Sequence, residues 1–246
     1  MLVAGFPAGS FAANCYVVAA APGEQCVIID PGQDAQPGIE EILAEHRLQP
    51  AAVLLTHGHL DHVWSVGPVC GAAGIPAYIH PSDRAMLSNP GQGLSLGMGQ
   101  ELFGGLEFTE PDDVKELADG MTVSLVGLEI VVNHAPGHTE GSVTFRLPLD
   151  AAPEEQITAG GKSKIKRPGD VLFSGDLLFA GSIGRTDLPG GDYPTILRSL
   201  ARVCLTLPEE TLVLSGHGPR TTIGAERRTN PFLAGLAPAS GPARGI

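Results

Sequence analysis

Basic residues are scarce in this chain of 246: 15 Lys and Arg stand against 27 Asp and Glu, for a net charge of −12. A uniformly acidic surface repels phosphate backbones, so nucleic acid is not expected as a partner. Cysteine is scarce too. Cys15, Cys26, Cys70 and Cys204 lie far apart and form no CxxC pair. That pattern reads as buried, reduced thiols in a cytoplasmic protein rather than a disulfide framework. No apolar run reaches about 18 residues, so no transmembrane helix and no membrane association is expected. Met1 to Ala21 has no cationic start and is interrupted by Gly, Pro and Asn, which makes it a poor signal peptide. No internal repeat or linker stands out. Residues 1–246 therefore read as one domain, with the Pro/Gly/Ala-rich stretch 234–246 as a frayed tail.

What is present is ordinary globular composition, 43% hydrophobic and 17% charged, enough for a substantial core. Cys15 to Ala20 and Gln25 to Ile29 read as strands joined by a turn at Ala21-Pro22-Gly23-Glu24. The spacing of Ile39, Ile42, Leu43 and Leu48 predicts an amphipathic helix over Ile39 to Leu48. Ala51 to Leu55 reads as a buried strand, Val63 to Ala73 as a helix, Ala77 to His80 as a strand and Pro81 to Leu87 as a short helix. Asn89 to Gly105 is a glycine-rich loop. It lacks the Lys-Ser/Thr and the preceding strand of a phosphate cradle. Strands are expected around a turn at Gly127 within Val123 to Val132, and at Ser142 to Leu147, Val171 to Ser174 and Thr211 to Leu214. Tyr193 to Leu205 has helical spacing. Pro153 to Gly169, with Lys162, Lys164, Lys166 and Arg167, reads as an exposed insertion.

The chemistry concentrates in Thr56-His57-Gly58-His59-Leu60-Asp61-His62, directly after the Ala51–Leu55 strand. The end of a strand is where α/β sheets place ligands. Imidazole and carboxylate together are the donor set for zinc, and they also suit iron and manganese. If the segment stays extended, His57, His59 and Asp61 share one face and His62 takes the other, so neighbours can serve two ions. His138, Asp176 and His217 each follow an apolar run and have glycine beside them, as backbone crowding at a site would require. Asp30, at another strand end, is placed to orient a ligand histidine through its ring N–H. No Ser-His-Asp arrangement competes with this cluster.

The pattern His57-x-His59-x-Asp61-His62, then His138, Asp176 and His217, resembles the metallo-β-lactamase superfamily from about Asp30 to His217. The resemblance implies an α/β fold, a four-layer αββα sandwich of two mixed sheets flanked by helices. It also implies a binuclear site. His57, His59 and His138 would bind one divalent ion and Asp61, His62 and His217 the other, with Asp176 bridging. The ions would be zinc by preference, with iron or manganese as alternatives. Asp30 and Thr56 would support the ligands from behind. The catalytic parts would be a metal-bridging hydroxide with Asp61 and Asp176.

Ser182 to Asp192 (Ser-Ile-Gly-Arg-Thr-Asp-Leu-Pro-Gly-Gly-Asp) and Gly216-His217-Gly218-Pro219 resemble glyoxalase II-like thioesterases. The activity this implies is hydrolysis of S-D-lactoylglutathione or a related 2-hydroxyacyl thioester. Arg185 would meet a substrate carboxylate. Full-length glyoxalase II continues into a C-terminal helical region that supplies basic residues for glutathione. Here the chain ends soon after Asn230-Pro231-Phe232-Leu233, and Arg227 and Arg228 are the candidates to stand in. The rival is a one-iron persulfide dioxygenase of the same fold, using the residues that match His57, His138 and Asp176.

Overall fold

The structure, a computed structural model, describes residues 1–94, 107–148 and 169–239. The first half carries β1 (Leu2–Ala8), β2 (Ala13–Ala19), β3 (Gln25–Ile29), α1 (Gln36–His46), β4 (Gln49–Leu54), α2 (Leu60–Val63), α3 (Val66–Ala73), β5 (Ala77–Ile79) and β6 (Val114–Glu116). The second carries β7 (Thr122–Leu125), β8 (Leu128–His134), β9 (Val143–Leu147), β10 (Val171–Gly175), β11 (Leu178–Phe179), β12 (Ser182–Ile183), α4 (Tyr193–Ser199), β13 (Leu212–Ser215), β14 (Thr221–Thr222) and α5 (Ile223–Thr229).

Strand alternation builds the layers. A strand sends successive side chains to opposite faces, and a strand apolar on both faces must be covered on both. In β3, Val27 and Ile29 enter a core between two sheets, while Cys26 and Ile28 face α1 and α3. In β10, Val171 and Phe173 enter the same central core, while Leu172 packs beneath α4 with Ile196 and Leu200. Among the described residues the result is two six-stranded sheets, β1-β2-β3-β4-β5-β6 and β14-β13-β10-β9-β8-β7, packed face to face with helices outside. Both sheets are mixed. β3 to β6 pair in parallel and β1 to β3 antiparallel; β10 pairs in parallel with β13 and antiparallel with β9. The expected αββα sandwich is what the chain adopts.

Several boundaries differ from the sequence expectation. β1 lay outside it, because Gly5 and Pro7 interrupt the pattern. Proline is tolerated here since β1 is an edge strand, paired only with β2. α1 starts earlier than Ile39, with Pro37 in its first turn, and ends at Arg47 in the left-handed conformation (φ 55°), which sends Leu48 out of the helix. The helix expected over Val63 to Ala73 is split into α2 and α3 at Trp64 and Ser65. α4 runs on as a π-helical turn, Leu200–Cys204. The turn at Gly127 is as expected: Val126 and Gly127 both have positive φ and join β7 to β8 as a two-residue hairpin. The insertion expected at 153–169, apart from Gly169, lies outside the described residues, as do most of the 89–105 loop and the tail beyond residue 239. Among the described residues no helix is long and apolar enough to cross a membrane.

Candidate metal centre

Asp30 follows β3, the His57–His62 segment follows β4, Asp176 follows β10 and His217 follows β13. These strands run in parallel pairs, so their carboxyl ends deliver polar side chains to one edge of the sandwich. His138 arrives from the β8–β9 connection. Three groups of donor atoms result, each with atoms within 4.8 Å of one another: His57, His59 and His138; Asp61, His62 and His217; and His57, His62 and Asp176. All seven expected residues are thus brought together.

The extended geometry expected for Asp61 and His62 is corrected. Both lie on α2, whose first turn closes with His62 N–H and Val63 N–H donating to the His59 carbonyl at 3.0 and 3.2 Å. Consecutive helical residues are rotated by about 100°. Helical rotation, not strand alternation, separates Asp61 and His62 from His57 and His59.

Hydrogen bonds set the ring orientations. Asp30 accepts from Thr56 N–H at 2.8 Å, from Thr56 Oγ1 at 2.6 Å and from His62 Nδ1 at 3.0 Å. Thr56 Oγ1, having donated to the carboxylate, accepts from His57 Nδ1 at 3.1 Å. A carboxylate only accepts, so each ring carries a proton on Nδ1, and in the neutral ring Nε2 is the nitrogen with the free lone pair. His138 Nδ1 donates to the Arg185 carbonyl at 2.8 Å, which leaves its Nε2 bare as well. Asp30 itself adopts a positive φ of 50°, a conformation uncommon for a residue with a Cβ.

A fit test for metal follows from the leftover atoms. Nε2 of His57 and His62 and Oδ1 of Asp176 are buried and have no hydrogen-bond partner. Native proteins rarely leave such atoms unsatisfied. His59 Nδ1 lies within hydrogen-bond distance, 2.8 Å, of the bare Nε2 of His138, and His59 Nε2 is a further buried atom with no partner. Asp176 faces both sides: Oδ1 is 3.4 Å from His62 Nε2, and Oδ2 is 3.6 Å from both His138 Nε2 and His217 Nε2. Asp61 Oδ2 lies 3.1 Å from His217 Nε2 and 3.6 Å from His62 Nε2. Nitrogen and carboxylate donors with orphaned lone pairs fit divalent metal.

The electrostatics differ between the halves. Burial, reinforced by neighbouring rings, pushes the His57 pKa well down and that of His59 to about 3. Those rings are neutral and ready to donate a lone pair. Burial works against charge on His62 too, but Asp61, Asp176 and Asp30 outweigh it and lift its pKa to about 10. His217 is raised despite burial by Asp61 and Asp176. The acidic half therefore calls for positive charge, which a proton or a metal cation can supply. That half is also the open one. Side-chain exposure is 30% at His217 and 21% at Asp61, whereas His57, His59 and His138 are buried.

Arg185 is exposed, and its guanidinium forms a two-bond fork with Asp187 at 2.7 Å each. Arg227 and Arg228 are engaged elsewhere. Arg227 donates to the Leu205 and Leu207 carbonyls, and Arg228 pairs with Glu209. Arg227 thereby caps the chain just past the π-helical turn that continues α4. Sequence reasoning missed Asp83, a buried carboxylate bonded to Gly58, Thr139 and Gly141. Its one signal was position: like Asp30, it comes shortly after a strand.

The chain is similar to known proteins over most of its length. The model of the metallo-beta-lactamase superfamily matches residues 8–150 and 167–217. An uncharacterized protein of Mycobacterium tuberculosis is 49% identical, over 96% of this chain and all of that one. The probable metallo-hydrolase YqgX of Bacillus subtilis is 37% identical, over 94% and 97%. Hydroxyacylglutathione hydrolase GloC of Haemophilus influenzae is 33% identical, over 92% and 95%. Among solved structures, BLEG-1 B3 metallo-beta-lactamase superposes with a TM-score of 0.77 at 38% identity, over 95% of this chain and all of that one. TTHA1623 in a di-iron-bound form superposes with 0.70 at 39%, over 92% and 97%.

Proposed function

Because the chain belongs to the metallo-β-lactamase superfamily, as a metallo-hydrolase, we propose that it hydrolyses a thioester, S-D-lactoylglutathione or a related 2-hydroxyacyl thioester. The observation that carries hydrolysis is the pair of donor groups with Asp176 between them, 3.6 Å from His138 on one side and from His217 on the other, and with one group open at Asp61 and His217. The thioester is supported by the likeness to hydroxyacylglutathione hydrolase GloC over nearly the whole of both chains and by the Ser182–Asp192 segment.

In this reading His57, His59 and His138 would hold one divalent ion and Asp61, His62 and His217 the second, with Asp176 between them. Such ions supply Lewis-acid polarisation of an acyl carbonyl and lower the pKa of the attacking water. The chain's own work is to keep the donors aimed. Asp30 holds His62 directly and His57 through Thr56. The Arg185 carbonyl holds His138. The leaving thiolate has a conjugate pKa of about 8.5, so its departure asks little of a general acid.

For Arg185 to anchor a substrate carboxylate, its guanidinium must be shared with or released by Asp187. Arg185→Ala should then raise KM several-fold, roughly threefold to tenfold, and leave kcat within about twofold, as loss of uniform binding does. Steady-state kinetics checks this, and the carbonyl that holds His138 is kept. An unchanged KM would assign the guanidinium to Asp187 alone.

The one-iron persulfide dioxygenase reading needs only His57, His138 and Asp176. Assembly of Asp61, His62 and His217 into a second group favours the hydrolase. Oxygen uptake with glutathione persulfide, measured alongside metal content, separates the two. The expected result is no uptake; rapid uptake with one iron per chain would overturn the hydrolase.

A further inference from the structure

We propose that Asp83 is a positioning residue that fixes the spacing of the two loops bearing His59 and His138, and so prepares the first donor group for its ion. This rests on the metal-holding reading of the cluster and not on the identity of the substrate. Asp83 is buried in the turn after β5. Its Oδ2 accepts from Gly58 N–H at 2.9 Å and from Thr139 Oγ1 at 2.7 Å, and its Oδ1 accepts from Gly141 N–H at 2.8 Å. Gly58 lies between His57 and His59, and Thr139 directly follows His138. One carboxylate thus ties together two loops whose histidines face each other at 2.8 Å.

The glycines are a second, independent sign. A Cβ at Gly141 would lie 2.5 Å from Asp83 Cγ, and one at Gly58 would lie 2.9 Å from the Asp83 carbonyl oxygen. Both loops approach Asp83 too closely for any larger residue at these positions. Thr139 is itself locked: Ser142 Oγ lies 2.7 Å from its hydroxyl and accepts from its N–H at 3.1 Å. Because the carboxylate only accepts, the Thr139 hydroxyl donates to Asp83 and accepts from Ser142. Asp30 has no bond to His59 or His138; its bonds go to Thr56 and His62. Asp30 therefore supports His57 and His62, and Asp83 the loops that bear His59 and His138.

Asparagine cannot replace this group. Whichever way its amide turns, its NH2 faces at least one backbone N–H, Gly141 in one orientation and Gly58 in the other. Asp83→Asn should therefore loosen the first group while the second, which it does not touch, is kept. Zn2+ affinity of the full chain is measured by competition with a chromogenic chelator, with elemental analysis of the same protein. The wild type should hold two ions. Asp83→Asn should hold one unchanged and the other about 10- to 100-fold more weakly, the usual cost of losing a group that orients ligands. Thr139→Val deletes one donor and leaves the other two bonds, so it should shift the same ion by less; it carries the test if Asp83→Asn does not fold. Wild-type affinity for both ions in Asp83→Asn, or equal weakening of both in step with a lowered melting temperature, would overturn the proposal. A wild type that takes up no ion would overturn the metal-holding reading together with it.

Discussion

His59→Ala is expected to lose an ion and to lower the hydrolytic rate by at least about 10², because the first donor group drops from three nitrogens to two and the activated water goes with the ion. The loss should come without collapse of the fold. His59 is the residue before α2, but its side chain makes no capping hydrogen bond. What it does make is the 2.8 Å contact with His138 Nε2. Elemental analysis, kcat and a melting curve on the same protein check this together. Full stoichiometry with normal turnover would refute the placement of His59.

The second large effect is expected at a residue that offers no side chain at all. A Cβ on Gly216 would overlap Asp176 Oδ1 and lie 2.7 Å from His62 Cε1. Gly216 is not among the described residues with positive φ, so alanine strains no dihedral there; the clash falls on the donors. A displacement of about 1 Å at a reacting centre can cost about 10² in rate. Gly216→Ala should therefore reach that scale in kcat/KM. Gly71→Ala supplies the contrast. Gly71 is exposed on α3, and a Cβ there meets nothing within 4 Å. Alanine within a helix is favoured over glycine by about 0.5–1 kcal/mol, so this variant should keep its activity and melt no lower than the parent. Comparable losses in the two variants would mean that Gly216 acts through global stability rather than through Asp176 and His62.

The two glycines show how much of the site could be read from the sequence. Glycine beside each downstream donor implied crowding, yet which atoms crowd Gly216 depends on β10 and β13 lying side by side in parallel. The donors were legible because each follows an apolar run that had to be a strand, and strand ends are where such residues gather. Asp30 was legible for the same reason. Asp83 was not, because His80, Pro81 and Ser82 separate it from the end of β5, whereas Asp30 follows β3 directly. Asp61 and His62 were read as extended because four residues are too few for helical periodicity to register. The sandwich was implied by the resemblance that the ligand pattern carries; strands apolar on both faces, such as β3, are how the chain builds it. The edge strand β1 escaped notice because its glycine and proline are the residues that sequence patterns count against a strand.

The central claim is thioester hydrolysis at a two-ion site, and one sample tests it. The purified protein is assayed for thiol release from S-D-lactoylglutathione, and its metal content is determined by elemental analysis. The expected result is catalytic turnover, with two divalent ions per chain. A protein that carries both ions and releases no thiol from this or another 2-hydroxyacyl thioester would contradict it.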